Sequence, residues 1–398
     1  MSLEVSVVLP SYNRADTLRR AIDSVLRQSF SDWELLVVDD GSTDGTPSLV
    51  HGIDPRVRLV RQDHAGCYPA RNLGLRESRG RFIAFLDSDD EWLPHFLDLT
   101  TAFLRSSPND HFVTTEFLED WGASGSARHD ALEVSVKYPE MAWRVGSRRL
   151  DLPRGETDDY LRIYQSREPL GDWGRRIATA AGYPHALLYR GDIFEHMRWG
   201  YLNWLPVTVM TRHALETVGP FVTTCENAAD FRFLALLARH FRANMISVPS
   251  AIKHDRAAGA ELAEAHLATG RNAYRFALNK LGFFDELFYR RRPDDEEVQR
   301  IRAVYQLLAA RTALRLGDRK AAREHLAEAA RGYPGSWDIR TLRVLAAILR
   351  FGPRAATIHE WIWRIMRRLR VTLRLAPRAP QSTLKSGTQS LPSARRQR

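Results

Sequence analysis

Apolar positions in the first hundred residues alternate between two spacings. Val5-Ser6-Val7-Val8-Leu9 is a nearly continuous apolar run, the mark of a strand buried on both faces, and Pro10 closes it. Leu18, Ile22, Val25 and Leu26 then repeat at the spacing of one buried helix face. Trp33 to Val38 predicts a second buried strand, closed by Asp39-Asp40-Gly41, and Ser42 to Pro47 is turn and helix-cap chemistry. Val57 to Val60 predicts a third strand, Pro69 to Glu77 a helix and Phe82 to Leu86 a fourth strand. Strand–helix–strand repetition with short links predicts an α/β unit, a mostly parallel sheet flanked by helices.

Beyond residue 115 the pattern loosens. Trp121, Trp143, Trp173, Trp199 and Trp204 lie among Gly and Arg without a clean period, so strands and loops of an acceptor side are expected over 115–205. Thr208 to Leu215 and Phe231 to Arg239 read as helical or extended. From about Gly259 the chain turns Ala-rich, and Val298–Leu316, Arg319–Ala330 and Trp337–Leu349 predict helices. These are read as a helical cap or as a tetratricopeptide-like hairpin. A last helix, Ile358 to Leu375, gathers Ile358, Trp361, Ile362, Ile365, Met366 and Leu369 on one face and its Arg residues on the other. The domain expectation is therefore 1–256 for the α/β domain (donor half about 1–110, acceptor half about 111–256), 257–353 for the helical region, 354–375 for the basic amphipathic helix, and 376–398 for a disordered basic tail.

Charge changes the picture only once it is located. The net charge is +10, yet after Glu360 the chain has ten Lys or Arg and no Asp or Glu. The tail thus carries the whole excess, and a basic nucleic-acid groove across the folded part is not implied. The basic helix suggests peripheral contact with an anionic membrane face, against the alternative that its Trp face packs on the protein. Cys67 and Cys225 offer neither a zinc spacing nor a disulfide framework. With no signal-peptide pattern and no run of 18 apolar residues, a cytoplasmic protein is expected, peripheral on the inner membrane face if that helix docks.

Candidate chemistry clusters at strand ends. Asp87-Ser88-Asp89-Asp90 directly follows the fourth predicted strand, where an open parallel sheet places its ligands. Carboxylates two residues apart suit a hard cation, Mn²⁺ or Mg²⁺, that keeps positions open for phosphate oxygens; the alternative is a solvated acidic turn. Asp39 and Asp40 end the second strand as possible partners of a base or ribose, or as turn and cap residues. Tyr12 offers a ring for a nucleobase, and Arg14 and Arg71 offer cations for a diphosphate.

Val-Ser-Val-Val-Leu-Pro-Ser-Tyr-Asn-Arg, Leu-Val-Val-Asp-Asp-Gly-Ser-Thr-Asp-Gly-Thr, Ala-Arg-Asn-Leu-Gly and Phe-Leu-Asp-Ser-Asp-Asp-Glu-Trp-Leu-Pro follow one another at successive strand ends. In this order they resemble family 2 glycosyltransferases of the GT-A, Rossmann-like nucleotide-binding fold, closely over 3–105 and more thinly from 200 to about 256. The resemblance implies that Pro10, Tyr12 and Asp40 hold the nucleobase, with Asp39 beside them and Arg71 near the nucleotide. It implies that Asp87 and Ser88 lie by the donor and that Asp87 and Asp89 form the DxD motif, Asp89 on the metal. Asp230 matches the catalytic base. Ala229 and Arg232 depart from the acidic residues common there, and Glu226 is the candidate to supply a missing carboxylate. His254 matches a position often near the metal or phosphates, with a structural histidine as the alternative.

The implied reaction moves a sugar from a nucleotide-diphosphate donor, UDP being the usual nucleotide, to a hydroxyl of a saccharide or lipid-linked acceptor, with inversion. A nucleotidyltransferase would need a glycine-rich phosphate loop after the first strand, and Pro10 to Arg14 contains no glycine. A non-catalytic sugar- or partner-binding scaffold draws support from Ala229, and the presence of both Asp87 and Asp89 counts against it.

Overall fold

The computed structural model describes residues 3–120, 159–199, 202–254 and 270–332. Helices expected at Trp337–Leu349 and Ile358–Leu375, the basic tail, Trp121 and Trp143 lie outside the described residues.

One sheet runs in the order β3 (Val57–Arg61), β2 (Trp33–Asp39), β1 (Val5–Ser11), β4 (Phe82–Phe85), β9 (Thr208–Thr211), β6 (Phe112–Asp120), β10 (Ala243–His254), β8 (Leu187–Gly191) and β7 (Ser166–Pro169), with β5 (Glu91–Trp92) paired on β10. Its donor half comprises β1 (Val5–Ser11), β2 (Trp33–Asp39), β3 (Val57–Arg61) and β4 (Phe82–Phe85), parallel throughout. From β1 the chain winds outward to β2 and β3, then returns to place β4 on the other side of β1. That reversal leaves a crevice beyond the carboxyl ends of β1 and β4. The second half is mixed: β9 (Thr208–Thr211) runs antiparallel to both β4 and β6 (Phe112–Asp120), and β10 (Ala243–His254) is parallel to β6. The strands β8 (Leu187–Gly191) and β7 (Ser166–Pro169) complete that edge as antiparallel neighbours.

Pro10 does not end β1 as its ring suggested; it pairs in register with Val38 and the strand runs to Ser11. Even-numbered residues of β1 turn their backbone toward β4, as the Leu86 N–H bond to the Val8 carbonyl shows. Pairing on that side stops at Val8 opposite Phe85, so the N–H that Pro10 lacks would have had no strand partner.

Side-chain alternation in β1 feeds two cores. Val5, Val7 and Leu9 pack with α1 (Leu18–Leu26) and α4 (Phe96–Ser106) on one face. Val8, Leu36, Ile83 and Phe85 face α3 (Cys67–Glu77) and α7 (Ala229–His240) on the other. Gly74 lets α3 lie against the sheet, because a Cβ there would run into Val8 Cγ1.

Two stretches differ from expectation. Thr208–Leu215 splits at Thr211, whose hydroxyl caps α6 (Arg212–Val218) by accepting from the Ala214 N–H at 3.2 Å. Within the region expected to be strands and loops, Asp172–Ala180 forms a helix, α5, packed on α4. The C-terminal helices α8 (Gly270–Leu287), α9 (Glu296–Arg315) and α10 (Arg319–Gly332) do not stand apart. Leu281, Phe284, Leu287, Val298, Ile301 and Tyr305 join the same core as α7 and β4, the arrangement of a cap on the α/β domain.

Candidate active site

On the donor side the loop after β1 is laced to the loop after β2. Asn13, at φ 50°, accepts from the Thr43 N–H at 2.9 Å, and its own N–H donates to Ser42 Oγ at 2.9 Å. Asp44 accepts from Ala15 N–H at 3.1 Å and from Thr46 N–H at 2.9 Å. Asp39 is fully buried and accepts from the Ser42 N–H. Asp40 gathers the loop after β3: it accepts from Gln62 Nε2 at 2.6 Å, Ala65 N–H at 2.9 Å and Gly66 N–H at 2.8 Å, and lies 2.8 Å from His64 Nδ1. Both aspartates are buried; Asp40 is taken up by the loop after β3, and Asp39 meets Arg61 Nε through Oδ2 at 3.2 Å. What this segment presents outward is the exposed ring of Tyr12, stacked on His64 with centroids 4.0 Å apart.

Beyond β4 the chain turns through the acidic loop. Arg71 of α3, itself buried, donates to Asp87 Oδ1 at 2.5 Å and lies over the rings of Tyr68 and Phe221. Arg14 approaches Asp89 at 3.6 Å, and Arg20 donates to the Asp89 carbonyl at 2.5 Å. Desolvation in the cleft, then the charge of Asp87, push the Asp89 carboxyl above its ordinary value. Asp90 is buried deeper and driven well above the carboxylate range, by burial first and then by Asp89 and Asp87. Ser88 is buried within the same turn. The strand β5 (Glu91–Trp92) carries the loop onto β10, where the His254 N–H donates to Asp90 at 3.1 Å. The His254 ring lies 3.3 Å from Glu91, whose carboxyl is lowered chiefly by that hydrogen bond. Among the described residues no three His, Cys, Asp or Glu side chains form a metal cage.

On the acceptor side Asp230 sits in the first turn of α7 and accepts from the Tyr68 hydroxyl at 3.1 Å. Asn72 clamps the preceding segment to α3, donating to the Phe221 carbonyl at 2.8 Å and accepting from its N–H at 2.9 Å. The helical spacing expected to set Glu226 beside Asp230 is absent, because α7 begins only at Ala229, after Ala228 at φ 66°. Glu226 is exposed and pairs with Arg275 of α8 at 3.0 Å. Arg232 grips Glu286 of α8 through Nε and Nη2, with contacts down to 2.7 Å. An acid at 232 would forfeit that joint, which accounts for the departure noted there.

Four chain segments thus meet at the crevice. Residues 6–154 match the family model described as glycosyl transferase family 2. This chain carries a family 2 glycosyltransferase domain. Over 102 residues, a quarter of its length, the chain is 43% identical to WfgD of Escherichia coli, a UDP-Glc:α-D-GlcNAc-diphosphoundecaprenol β-1,3-glucosyltransferase, and covers 40% of it. The succinoglycan biosynthesis protein ExoO of Rhizobium meliloti is 52% identical over 93 residues, 23% of this chain and 27% of its own. The chain therefore spans less than half the length of these two relatives. Residues 1–349 of S. aureus TarS, solved with UDP-GlcNAc, superpose with a TM-score of 0.51 at 15% identity, covering 93% of this chain and 91% of that one. That likeness bears on fold, and it extends the GT-A architecture beyond the matched family segment into the helical region.

Motif reading passed over four residues that contact those singled out: Tyr68, His64, Arg20 and Glu91. Tyr68 had a usable signal, since it lies three positions before Arg71 and so shares its helix face. His64 and Glu91 are brought in by loop closure and by β5 pairing, and Arg20 by the approach of α1 to the acidic loop, none of which leaves a periodic trace.

Proposed function

We propose that the protein transfers a glycosyl group from a nucleotide-diphosphate sugar, a UDP-sugar in the first instance, to the hydroxyl of a saccharide carried on a lipid diphosphate. The relatives whose names specify UDP-glucose and a diphosphoundecaprenol acceptor support the substrate classes. The observation that carries the reading is the crevice itself: Asp87, Asp89, Arg14 and Arg71 on one wall and Asp230 on the other, at the reversal in strand order.

In this reading the Tyr12 ring, backed by His64, receives the nucleobase, with Pro10 at the end of β1 and with Asp39 and Asp40 fixing the loops that frame it. Arg14 and Arg71 stand beside the leaving diphosphate. Asp230 takes the proton of the acceptor hydroxyl as it attacks the anomeric carbon from the opposite side, and one such displacement inverts configuration.

A divalent ion fits the residues present. Asp87 and Asp89 are partly exposed oxygen donors whose mutual repulsion a cation would relieve, and Mn²⁺ or Mg²⁺ is commonly shared between one or two carboxylates and substrate phosphates. When bound, it supplies Lewis-acid neutralisation of the departing diphosphate. His254, held by Glu91, is assigned to shaping the loop from behind.

Transfer assayed with UDP-sugars and a lipid-diphosphate saccharide, with and without Mn²⁺, tests the proposal. Loss of transfer in Asp89→Ala with the melting temperature preserved supports it; full turnover in that variant removes the acidic loop from the mechanism. Product NMR showing retained configuration would overturn inversion. Contact of 354–375 with an anionic membrane belongs to the same proposal. Equal liposome partitioning of the full chain and a version ending near Pro353 would dismiss it.

A further inference from the structure

Helix α3 reaches both walls of the crevice. Arg71 meets Asp87 on the donor wall, and one turn earlier Tyr68 meets Asp230 on the other. The Tyr68 ring is buried between Arg71 and Phe221, and Phe221 stacks in turn on Phe233 of α7 at 4.4 Å. Its hydroxyl is fixed at two points. It accepts from the Ala229 N–H at 3.1 Å, which turns its own proton toward Asp230 Oδ1, also at 3.1 Å. Ala228 in the left-handed region starts α7 abruptly, so the Ala229 N–H faces this phenol rather than a cap side chain.

We propose that Tyr68 is the positioning residue of the general base: its hydroxyl orients the Asp230 carboxylate toward the acceptor and holds it ready to take a proton. The proposal rests on the assignment of Asp230 as base. A hydrogen bond donated to a carboxylate favours the ionised form. Burial, and next the charge of Asp230, push the phenol well above its ordinary value, so Tyr68 remains a donor throughout the working pH range. Among the described residues, the charged and titratable groups around Asp230 include Cys67, Tyr68 and Arg71 from α3 and Cys225 from the loop before α7. Arg71 is bound to Asp87, and Cys67, exposed at the start of α3, has its thiol raised by the desolvating walls around it. Neither offers a proton that titrates near neutrality. The distinction from plain packing is that the ring could remain while the hydroxyl is removed.

The test is the pH profile of kcat in Tyr68→Phe. We expect kcat to fall about tenfold, the donor KM to stay within about twofold, and the acid limb to move up by about one pH unit. A chain with 3-fluorotyrosine at 68 keeps the ring and makes the hydroxyl a stronger donor, so its acid limb should move down. This second measurement stands even if Tyr68→Phe fails to fold. An acid limb unmoved in the fluorinated protein overturns the proposal. Asp230→Asn separates the two layers. If it leaves kcat intact, the base assignment has failed; if it abolishes kcat while the acid limb ignores both changes at 68, only the role of Tyr68 has failed.

Discussion

Asp89 lies in a desolvated cleft with Asp87 as its nearest like charge and Arg14 at the edge of ion-pair distance. A neutral amide there relieves the repulsion. Asp89→Asn should therefore melt no lower than the parent in the absence of metal, and should lose the rise in melting temperature that Mn²⁺ with a UDP-sugar gives the parent. A thermal-shift titration checks both, since bound donor stabilises by mass action. Tyr12 is a second single-residue case. Its ring is exposed and already stacked on His64, so Tyr12→Ala should raise the donor KM by roughly tenfold, the value of one stacking contact, with little change in kcat. A kcat loss without a KM change would place the nucleobase elsewhere. The strand-end acids were legible in the sequence because acids directly after an apolar run fall at the sheet mouth whatever the rest of the fold does. Their division of labour was not. Asp40 binds the Ala65 and Gly66 amides, and that partnership depends on where β3 delivers its loop.

At the scale of elements, α3 is the piece that others are built around. Gly74 presses it to β1 and Asn72 ties it to Phe221. Gly74→Ala should cost about 2 kcal/mol, because the new methyl meets Val8 in a core without spare space. A urea melt with the midpoint lowered and the slope unchanged is the expected result. The strands β1 to β4 were readable from apolar runs, and α9 and α10 from Ala-rich periodicity, while Phe231–Arg239 left α7 open between helix and strand. Helix α5 was not, since Gly171, Gly174, Arg175 and Arg176 within ten residues give a polar, glycine-marked stretch. Burial of its own Ala178 in the core and packing of Trp173 against Phe103 make it a helix. Thr208–Leu215 likewise needed β4 and β6 on either side to draw its first four residues into the sheet.

Across the whole molecule, the helical cap is continuous with the catalytic core through Phe284, Leu287 and Tyr305. Phe284→Ala should cost about 3–5 kcal/mol and lower one shared unfolding transition. Two separated calorimetric transitions, with only one moved, would mean that cap and core unfold apart. The cap also contains a pH-sensitive joint. Tyr274 Oη lies 3.0 Å from His325 Nε2, and His325 Nδ1 donates to Gln306 Oε1 at 2.6 Å; with the ring neutral, the Tyr274 hydroxyl is the donor to Nε2. Burial lowers the His325 pKa below its ordinary value. The unfolded chain then binds the proton more readily, so stability present at neutral pH is lost as the pH falls below about 6.5. Urea midpoints should drop on acidification less steeply in His325→Asn than in the parent.

The sequence by itself determined which segments become buried strands and helices and which acids stand at the sheet mouth, because both follow from local period and from the chemistry at a strand end. Tertiary structure alone decided that Tyr68 would meet Asp230 across 162 positions, that Glu226 would turn to Arg275, and that Asp40 would hold a loop. Those outcomes depend on where β3 delivers its loop and on the relative placement of α3, α7 and α8, which is set by how the two sheet faces fill and leaves no repeating signature along the chain.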